Sequence, residues 1–229
     1  MKIGFVSDIH SNAHAFKEVL KNIKELSVDE IWCCGDIVGY SAFPNECLKV
    51  VRENRIQSVL GNHDWATIRG DTSWFNEYGV AGIEHNRKHI DSDNMKFLQE
   101  LPDNRSFVRD DVSFYMAHGS PRDNVFEYVF PWSSDVLFKT FAEMIDADIV
   151  VLGHTHIPME KKVSGKIFLN PGSVGQPRDG IPEASFVVFD TENRVYRWHR
   201  TVYDIDAAAL AIRDSGLPDF LAQRLYLGQ

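Results

Sequence analysis

Residues 2–10, Lys2-Ile3-Gly4-Phe5-Val6-Ser7-Asp8-Ile9-His10, decide how the chain is read. The apolar run Ile3 to Val6 is short and bounded by polar residues, which suits a strand buried on both faces. It runs straight into Asp8 and His10, side chains that hold protons or metals rather than pack. A helix is predicted next. Asn12 is its N-cap, and Phe16, Val19, Leu20, Ile23 and Leu26 recur at helical spacing with Lys and Glu opposite. The unit then repeats, with a strand at Ile31–Cys34, a helix from Pro44 to Asn54 carrying Cys47, Leu48 and Val51, and a strand at Ile56–Leu60. Such alternation predicts a parallel sheet.

The second half reads as more antiparallel. Thr72 to Leu101 predicts two helical pieces, Trp74, Phe75 and Tyr78 on the first and Phe97, Leu98 and Leu101 on the second, serving as a lid or as packing. Phe107-Val108, the Asp110-Asp111 turn and Val112–Met116 predict a hairpin. The stripe Leu137, Phe141, Met144 then leads into a buried strand, Ile149–Leu152. Two further hairpins follow, Met159–Val163 with Lys166–Leu169 and Ser185–Asp190 with Arg194–Thr201. An Ala-rich helical tail is expected from about Asp204. Its Leu217, Phe220, Leu221 and Leu225 either dock on the domain or form a homo-oligomer contact.

At 229 residues with 44% apolar content, the chain is expected to form one compact domain, residues 1–229. A net charge of −9 disfavours long nucleic acid and anionic membranes, both of which call for clustered Lys and Arg. The apolar stretch after Lys2 meets Asp8 before it could form a signal core, so a cytoplasmic location is expected. Cys33, Cys34 and Cys47 have neither disulfide-framework nor zinc-ribbon spacing and read as buried thiols.

The chemistry follows the strands. Strand one is followed by Asp8 and His10, strand two by Gly35-Asp36, strand three by Gly61-Asn62-His63-Asp64, the hairpin strand by His118-Gly119, and the last buried strand by Gly153-His154-Thr155-His156. Residues at these positions gather along one edge of an α/β sheet, where such folds place ligands. Two carboxylates, one carboxamide and four imidazoles exceed what a proton relay needs, and this mixed oxygen and nitrogen set suits two borderline divalent metals. In Asp8-Ile9-His10 and His154-Thr155-His156 the alternate side chains point the same way, toward a common metal region.

These five segments resemble the signature of the calcineurin-like metallophosphoesterase superfamily, in its small prokaryotic phosphodiesterase-like branch. Gly35-Asp36-Ile37-Val38-Gly39-Tyr40, Phe43-Pro44-Asn45-Glu46 and Asn170-Pro171-Gly172-Ser173-Val174-Gly175 are similar as well. The resemblance implies a four-layer α/β/β/α sandwich with mixed sheets and a dinuclear centre. It assigns Asp8, His10 and His156 to one ion and Asn62, His118 and His154 to the other, with Asp36 bridging. His63 is then the unbound imidazole that stabilises charge on the leaving oxygen or protonates it. Manganese is the expected metal, with nickel, iron, zinc, cobalt and magnesium compatible. Two such ions activate a water as nucleophile against a small phosphoester or nucleotide.

The sequence departs from the family's best-known phosphatase branch, which has an Asp three residues beyond the bridging one, followed by Arg. Here Gly39 and Tyr40 stand in their place. The missing Arg would grip a phosphate dianion, so a phosphodiester, with one charge, is the favoured substrate. A phosphomonoester or a dinucleoside polyphosphate is the alternative, and a non-catalytic scaffold on the same fold is a third reading. Arg122 and Arg178 are candidates to contact the non-reacting part of a substrate, against a plain role in surface ion pairs. His14, His85 and His89 read as solvated helix faces, and His199 as strand surface.

Overall fold

In the computed structural model, which describes residues 1–229, two five-stranded mixed sheets pack face to face with helices outside each. The first sheet has the order β10-β9-β1-β2-β3, with β1 (Lys2–Val6), β2 (Glu30–Cys33), β3 (Gln57–Ser58), β9 (Ala184–Asp190) and β10 (Val195–Thr201). Its strands β1, β2 and β3 are parallel, β9 runs antiparallel to β1, and β10 runs antiparallel to β9 at the edge. The second sheet has the order β4-β5-β6-β8-β7, from β4 (Asn104–Arg109), β5 (Val112–Ala117), β6 (Ile149–Leu152), β7 (Met159–Val163) and β8 (Lys166–Asn170). Strands β5, β6 and β8 are its parallel centre.

Alternation along each strand builds the layers. Ile3 and Phe5 of β1 meet Phe114 and Met116 of β5 and Ile149 and Val151 of β6 between the sheets. The opposite faces turn outward. Val6 and Cys33 pack under α1 (Ala13–Glu25) and α2 (Pro44–Glu53), while Val150 and Leu152 pack under α6 (Asp135–Met144). This is the predicted α/β sandwich. Asn12 caps α1 as expected, accepting from the Ala15 N–H at 3.1 Å, and all three cysteines are buried thiols.

Three local expectations are corrected. Trp74 and Phe75 are not helical: Asn76 caps α4 (Glu77–His89) by accepting from Gly79 N–H at 3.0 Å, so the helix starts after them. The third strand shrinks from five residues to Gln57–Ser58, because Leu60 already donates across to Pro102 at 2.8 Å. On α6 the buried residues are Phe138, Phe141 and Ala142, one position round from the predicted stripe, and Met144 is exposed.

The middle segment continues through α3 (Asn62–Arg69), α4 and α5 (Ser92–Gln99). The tail forms α7 (Ile205–Asp214) and α8 (Asp219–Leu227). Leu217, Leu221 and Leu225 are buried against the helices of the first sheet, so they dock on the domain, while Phe220 is partly exposed and packs on Tyr78 at a tilt of 31°, with ring centroids 4.4 Å apart.

Candidate metal centre

The loops after β1, β2, β3, β5 and β6 meet at one edge of the sandwich, and their main chains tie them together. Asp8 donates to Gly35 at 3.1 Å, His10 to Asp36 at 3.0 Å and Gly153 to His118 at 2.9 Å. Five of the residues there, Asp8, His10, Asp36, His154 and His156, have left-handed backbones with φ between 49° and 69°. That conformation is uncommon for residues with a Cβ and persists where surrounding bonds impose it.

The seven residues picked from the sequence converge, all buried. Donor atoms of Asp8, His10 and His156 form one tight group and those of Asp36, His118 and His154 another. His10 Nε2 lies 3.1 Å from His156 Nε2, and Asp8 Oδ1 lies 3.2 Å from the latter. His118 Nε2 lies 2.9 Å from Asn62 Oδ1 and 3.1 Å from His154 Nδ1. Between the groups, Asp36 Oδ2 is 3.5 Å from His10 Nε2 and 3.4 Å from His118 Nε2.

The outer nitrogens explain why these contacts suit cations. His10, His118 and His156 each place Nδ1 on a main-chain carbonyl, of Val38 at 3.1 Å, Cys34 at 2.8 Å and Gln176 at 2.6 Å. His154 is turned the other way, with Nε2 on the Phe126 carbonyl at 3.1 Å. A ring nitrogen facing a carbonyl carries the proton, so the inner nitrogen of each neutral ring is a bare lone pair. The inner contacts therefore set lone pair against lone pair, or lone pair against the Asn62 oxygen. Such contacts repel unless a cation lies among them, and at His118 a proton can take that place, as its raised pKa shows. Donors that share one ion at ~2.1 Å stand about 3 Å apart, which is the spacing here. Asp8 Oδ1 is buried with no hydrogen-bond partner, a cost that a ligated cation would remove.

The field agrees. His118 is pushed up to about 9: burial opposes this, but Asp36 and Asp8 beside it favour positive charge at that point. Asp8 is held well below the usual carboxylate range, burial again being outweighed, chiefly by His156. Burial holds His10 and His154 well below the ordinary imidazole value.

His63 sits at the rim. Its backbone N–H donates to Asp36 Oδ1 at 2.8 Å, its ring lies 4.8 Å from that of His10 and 4.4 Å from that of Tyr40, and its buried Nδ1 has no partner. Burial lowers it to about 4, so the ring is neutral at pH 7. Gly39 matters here: with φ +114°, a Cβ on it would stand 2.6 Å from His63 Nδ1 and 2.8 Å from His10 Nδ1, so an acidic side chain has no room at this position.

A cavity of about 560 Å³ opens from the centre. Asn62, His63 and His154 form its floor, and Tyr40, Trp65, Trp74, Phe75, Phe126 and Tyr128 its walls. The Tyr128 ring stacks on His154 with centroids 3.6 Å apart. A larger open groove, about 700 Å³, lies between α2 and α5, but its lining is charged and polar surface such as Lys49, Arg52 and Asp93, far in kind from the histidine cluster.

Sequence reasoning missed several parts. Asp64 is buried and accepts from Val38 N–H at 3.0 Å and Gly61 N–H at 3.1 Å, bracing two of the loops. Burial, then Asp36, pushes it up to about 7. Asn86 of α4 accepts from Gly39 N–H at 2.9 Å and gives its own N–H to the Ser41 carbonyl at 3.1 Å, so the middle segment holds the Gly39 turn. Arg122 is not brought to the centre; it is exposed and paired with Glu127. Arg178 is, through Gln176 and Tyr40.

Residues 1–194 match the family model described as the calcineurin-like phosphoesterase superfamily domain. The chain belongs to this superfamily. It is thus a member of a metal-dependent family of phosphoester hydrolases, with the fold and the Asp and His clusters that go with it. Among its relatives is the uncharacterized protein MJ0912 of Methanocaldococcus jannaschii, 36% identical over 99% of this chain and 98% of that one. The phosphodiesterase MJ0936 of the same organism is 26% identical over 86% of this chain and 97% of its own. The crystal structure of a metallophosphoesterase from Sphaerobacter thermophilus superposes with a TM-score of 0.86 at 33% identity, covering 100% of this chain and 99% of that one. No helix of this superfamily member is long and apolar enough to cross a membrane.

Proposed function

We propose that this phosphoesterase is a phosphodiesterase working with two divalent ions, one held by Asp8, His10 and His156, the other by Asn62, His118 and His154, with Asp36 shared. The observation that carries the reading is the set of inward lone pairs, each made bare by a main-chain carbonyl on the far side of its ring and all gathered around Asp36 Oδ2. Ions bound there supply Lewis acidity and an activated water at neutral pH. Manganese is the expected metal, and nickel, iron, zinc, cobalt or magnesium suit the same donors.

The chain's own residues do the rest. Asp36 Oδ1 is engaged by the His63 N–H, which fixes the carboxylate so that Oδ2 faces both donor groups. His63, neutral through burial, presents a ring N–H to the leaving oxygen as charge develops there, and bound cations would hold it neutral more firmly. This favours charge stabilisation over proton donation for His63. The aromatic cavity beside it receives the organic part of the ester. Diester preference is supported by Gly39, whose tight contacts leave His63 without an orienting carboxylate, and the related MJ0936 is named a phosphodiesterase.

The test is hydrolysis of bis(4-nitrophenyl) phosphate and 4-nitrophenyl phosphate by metal-stripped protein with single metals added back. Metal-dependent cleavage, faster on the diester, is expected. Faster cleavage of the monoester would sink the diester assignment, and turnover indifferent to chelators would sink the metal assignment.

A further inference from the structure

After β8 the chain stays inside the protein from Asn170 to Pro177, every residue buried, yet beyond Asn170 it forms neither helix nor strand. A buried irregular stretch must find partners for its polar groups outside itself. Here they lie on the loops that carry Asp8 and His156. Val174 donates to the Ser7 carbonyl at 3.0 Å and Gly175 to the Asp8 carbonyl at 2.9 Å. The Gln176 carbonyl lies 2.6 Å from His156 Nδ1. Gly175 approaches the first loop so closely that a Cβ on it would stand 1.9 Å from the Ile9 carbonyl oxygen.

The Ser173 hydroxyl joins the Asp8 side of these contacts to the His156 side. It donates to the Asp8 carbonyl at 2.8 Å and accepts from the Gln176 N–H at 2.8 Å, and the residue is fully buried. A carbonyl can only accept and a backbone N–H can only donate, so the sense of both bonds is fixed. Gln176 is thus held at its N–H while its carbonyl holds the His156 ring. Asp8 is held at its carbonyl, and both it and His156 have left-handed backbones, φ 53° and 62°, that need such outside support. At the far ends of the same two residues, Asp8 Oδ1 and His156 Nε2 stand 3.2 Å apart.

The second donor group is set differently. His118 faces the Cys34 carbonyl, His154 faces the Phe126 carbonyl, and Asn62 opens α3. Asn170 Nδ2 donates to the Gly153 carbonyl at 2.6 Å, next to His154, so Asn170 bears on both groups. Ser173 bears on Asp8 and His156.

We propose that Ser173 is a positioning residue for the ion held by Asp8, His10 and His156, and that the ion held by Asn62, His118 and His154 does not depend on its hydroxyl. The inference rests on the two-ion reading. Removing the hydroxyl leaves the Gln176 N–H buried without an acceptor and takes one of two donors from the Asp8 carbonyl. The carboxylate and the imidazole then lose their common reference, and the two ions cease to be equivalent.

Metal-stripped protein is dialysed against stepped concentrations of free manganese, and bound metal is measured by elemental analysis. Wild type is expected to take up two ions per chain. In Ser173→Ala one of them should bind about 10–100-fold more weakly, the range for a partner behind a metal ligand, while the other stays within about 2-fold. A second substitution identifies which. In the His118→Ala background Ser173→Ala should weaken the remaining ion, and in the His156→Ala background it should not. Ser185→Ala is the control, since Ser185 Oγ donates to the Pro171 carbonyl at 2.7 Å, a buried hydroxyl on the same stretch that touches no ligand residue. Both ions should bind to it as to wild type.

Equal weakening of both ions in Ser173→Ala overturns the proposal, as does no weakening, an effect that persists in the His156→Ala background, or a Ser185→Ala protein that behaves like Ser173→Ala. If Ser173→Ala does not fold, Ser173→Cys, similar in size and a weaker donor, must show the same selective loss. A wild type that binds fewer than two ions removes the two-ion reading. The role of Ser173 then stands only if a single bound ion is lost in His156→Ala and weakened in Ser173→Ala, and falls otherwise.

Discussion

At the centre every inward ring is fixed by a main-chain carbonyl, whereas in the cavity beside it Trp65, Trp74, Phe75 and Phe126 are held by contact alone. His10, His118, His154 and His156 each have one rotamer and one tautomer that satisfy Val38, Cys34, Phe126 and Gln176. The aromatic wall has only edge and face contacts, such as Trp65 on Phe126 at 5.2 Å and Phe75 on His63 at 4.8 Å. Metal donors must be placed to within a few tenths of an ångström, while a surface that receives organic groups gains from adapting to them. The molecule thus spends hydrogen bonds where geometry is strict and apolar area where it is not.

The largest effect expected on this contrast is at the shared carboxylate. Asp36→Asn keeps shape but removes the charge that faces both donor groups, so kcat/KM should fall by at least about 10³-fold, together with the loss of one ion per chain. Elemental analysis beside kinetics checks it; full metal content with near-normal rates would place the bridging role elsewhere. Next comes His63→Ala. Its donor group also comes close to those of His10 and Asp36, so metal content decides between roles. The expected outcome is a drop of roughly 10²–10³-fold in kcat with both ions retained. Loss of an ion would make His63 a ligand.

The strict region was the legible one. Asp8, His10, Asp36, Asn62, His118, His154 and His156 stood out because each follows an apolar run, and the order of strands decides which loops share an edge. The braces were not legible, since Asp64 and Asn86 look like ordinary helix residues until the loops they bond are in place. Nor were the left-handed backbones at five of the seven positions, which arise from cross-loop bonds rather than from residue type. The cavity wall was half seen. The spacing of Trp74 and Phe75 with Tyr78 is helical, but Asn76, whose capping ability competes with that spacing, starts the helix after them.

Gly39 sits where the two regions touch, and Gly39→Ala sharpens the contrast. A methyl group at 2.6 Å from His63 Nδ1 and 2.8 Å from His10 Nδ1 forces both rings to move, and the φ of +114° adds strain. A fall of about 10–100-fold in kcat is expected, the range for disturbed supports of a metal site. A weaker effect, with unchanged metal affinity, would show the turn to be softer than its contacts imply.

The smallest change belongs to the adaptable wall. Trp74 is 80% exposed, so in the free protein its ring buries little, and removing it should leave the melting temperature within the small range usual for surface positions. Its place on the cavity wall gives it a different use, as a face on which a planar group of the ester can stack. Such stacking contributes about 1–3 kcal/mol when complete, and a partly wet ring should lie at the lower end. Trp74→Ala should therefore raise KM for aryl diesters by roughly 5-fold while kcat stays within about 2-fold, and dialkyl diesters should be less affected. Steady-state kinetics on matched aryl and alkyl substrates reads the difference directly. If kcat falls and KM does not, the wall shapes the chemistry after all, and the division between a strict centre and a yielding cavity is wrong at this residue.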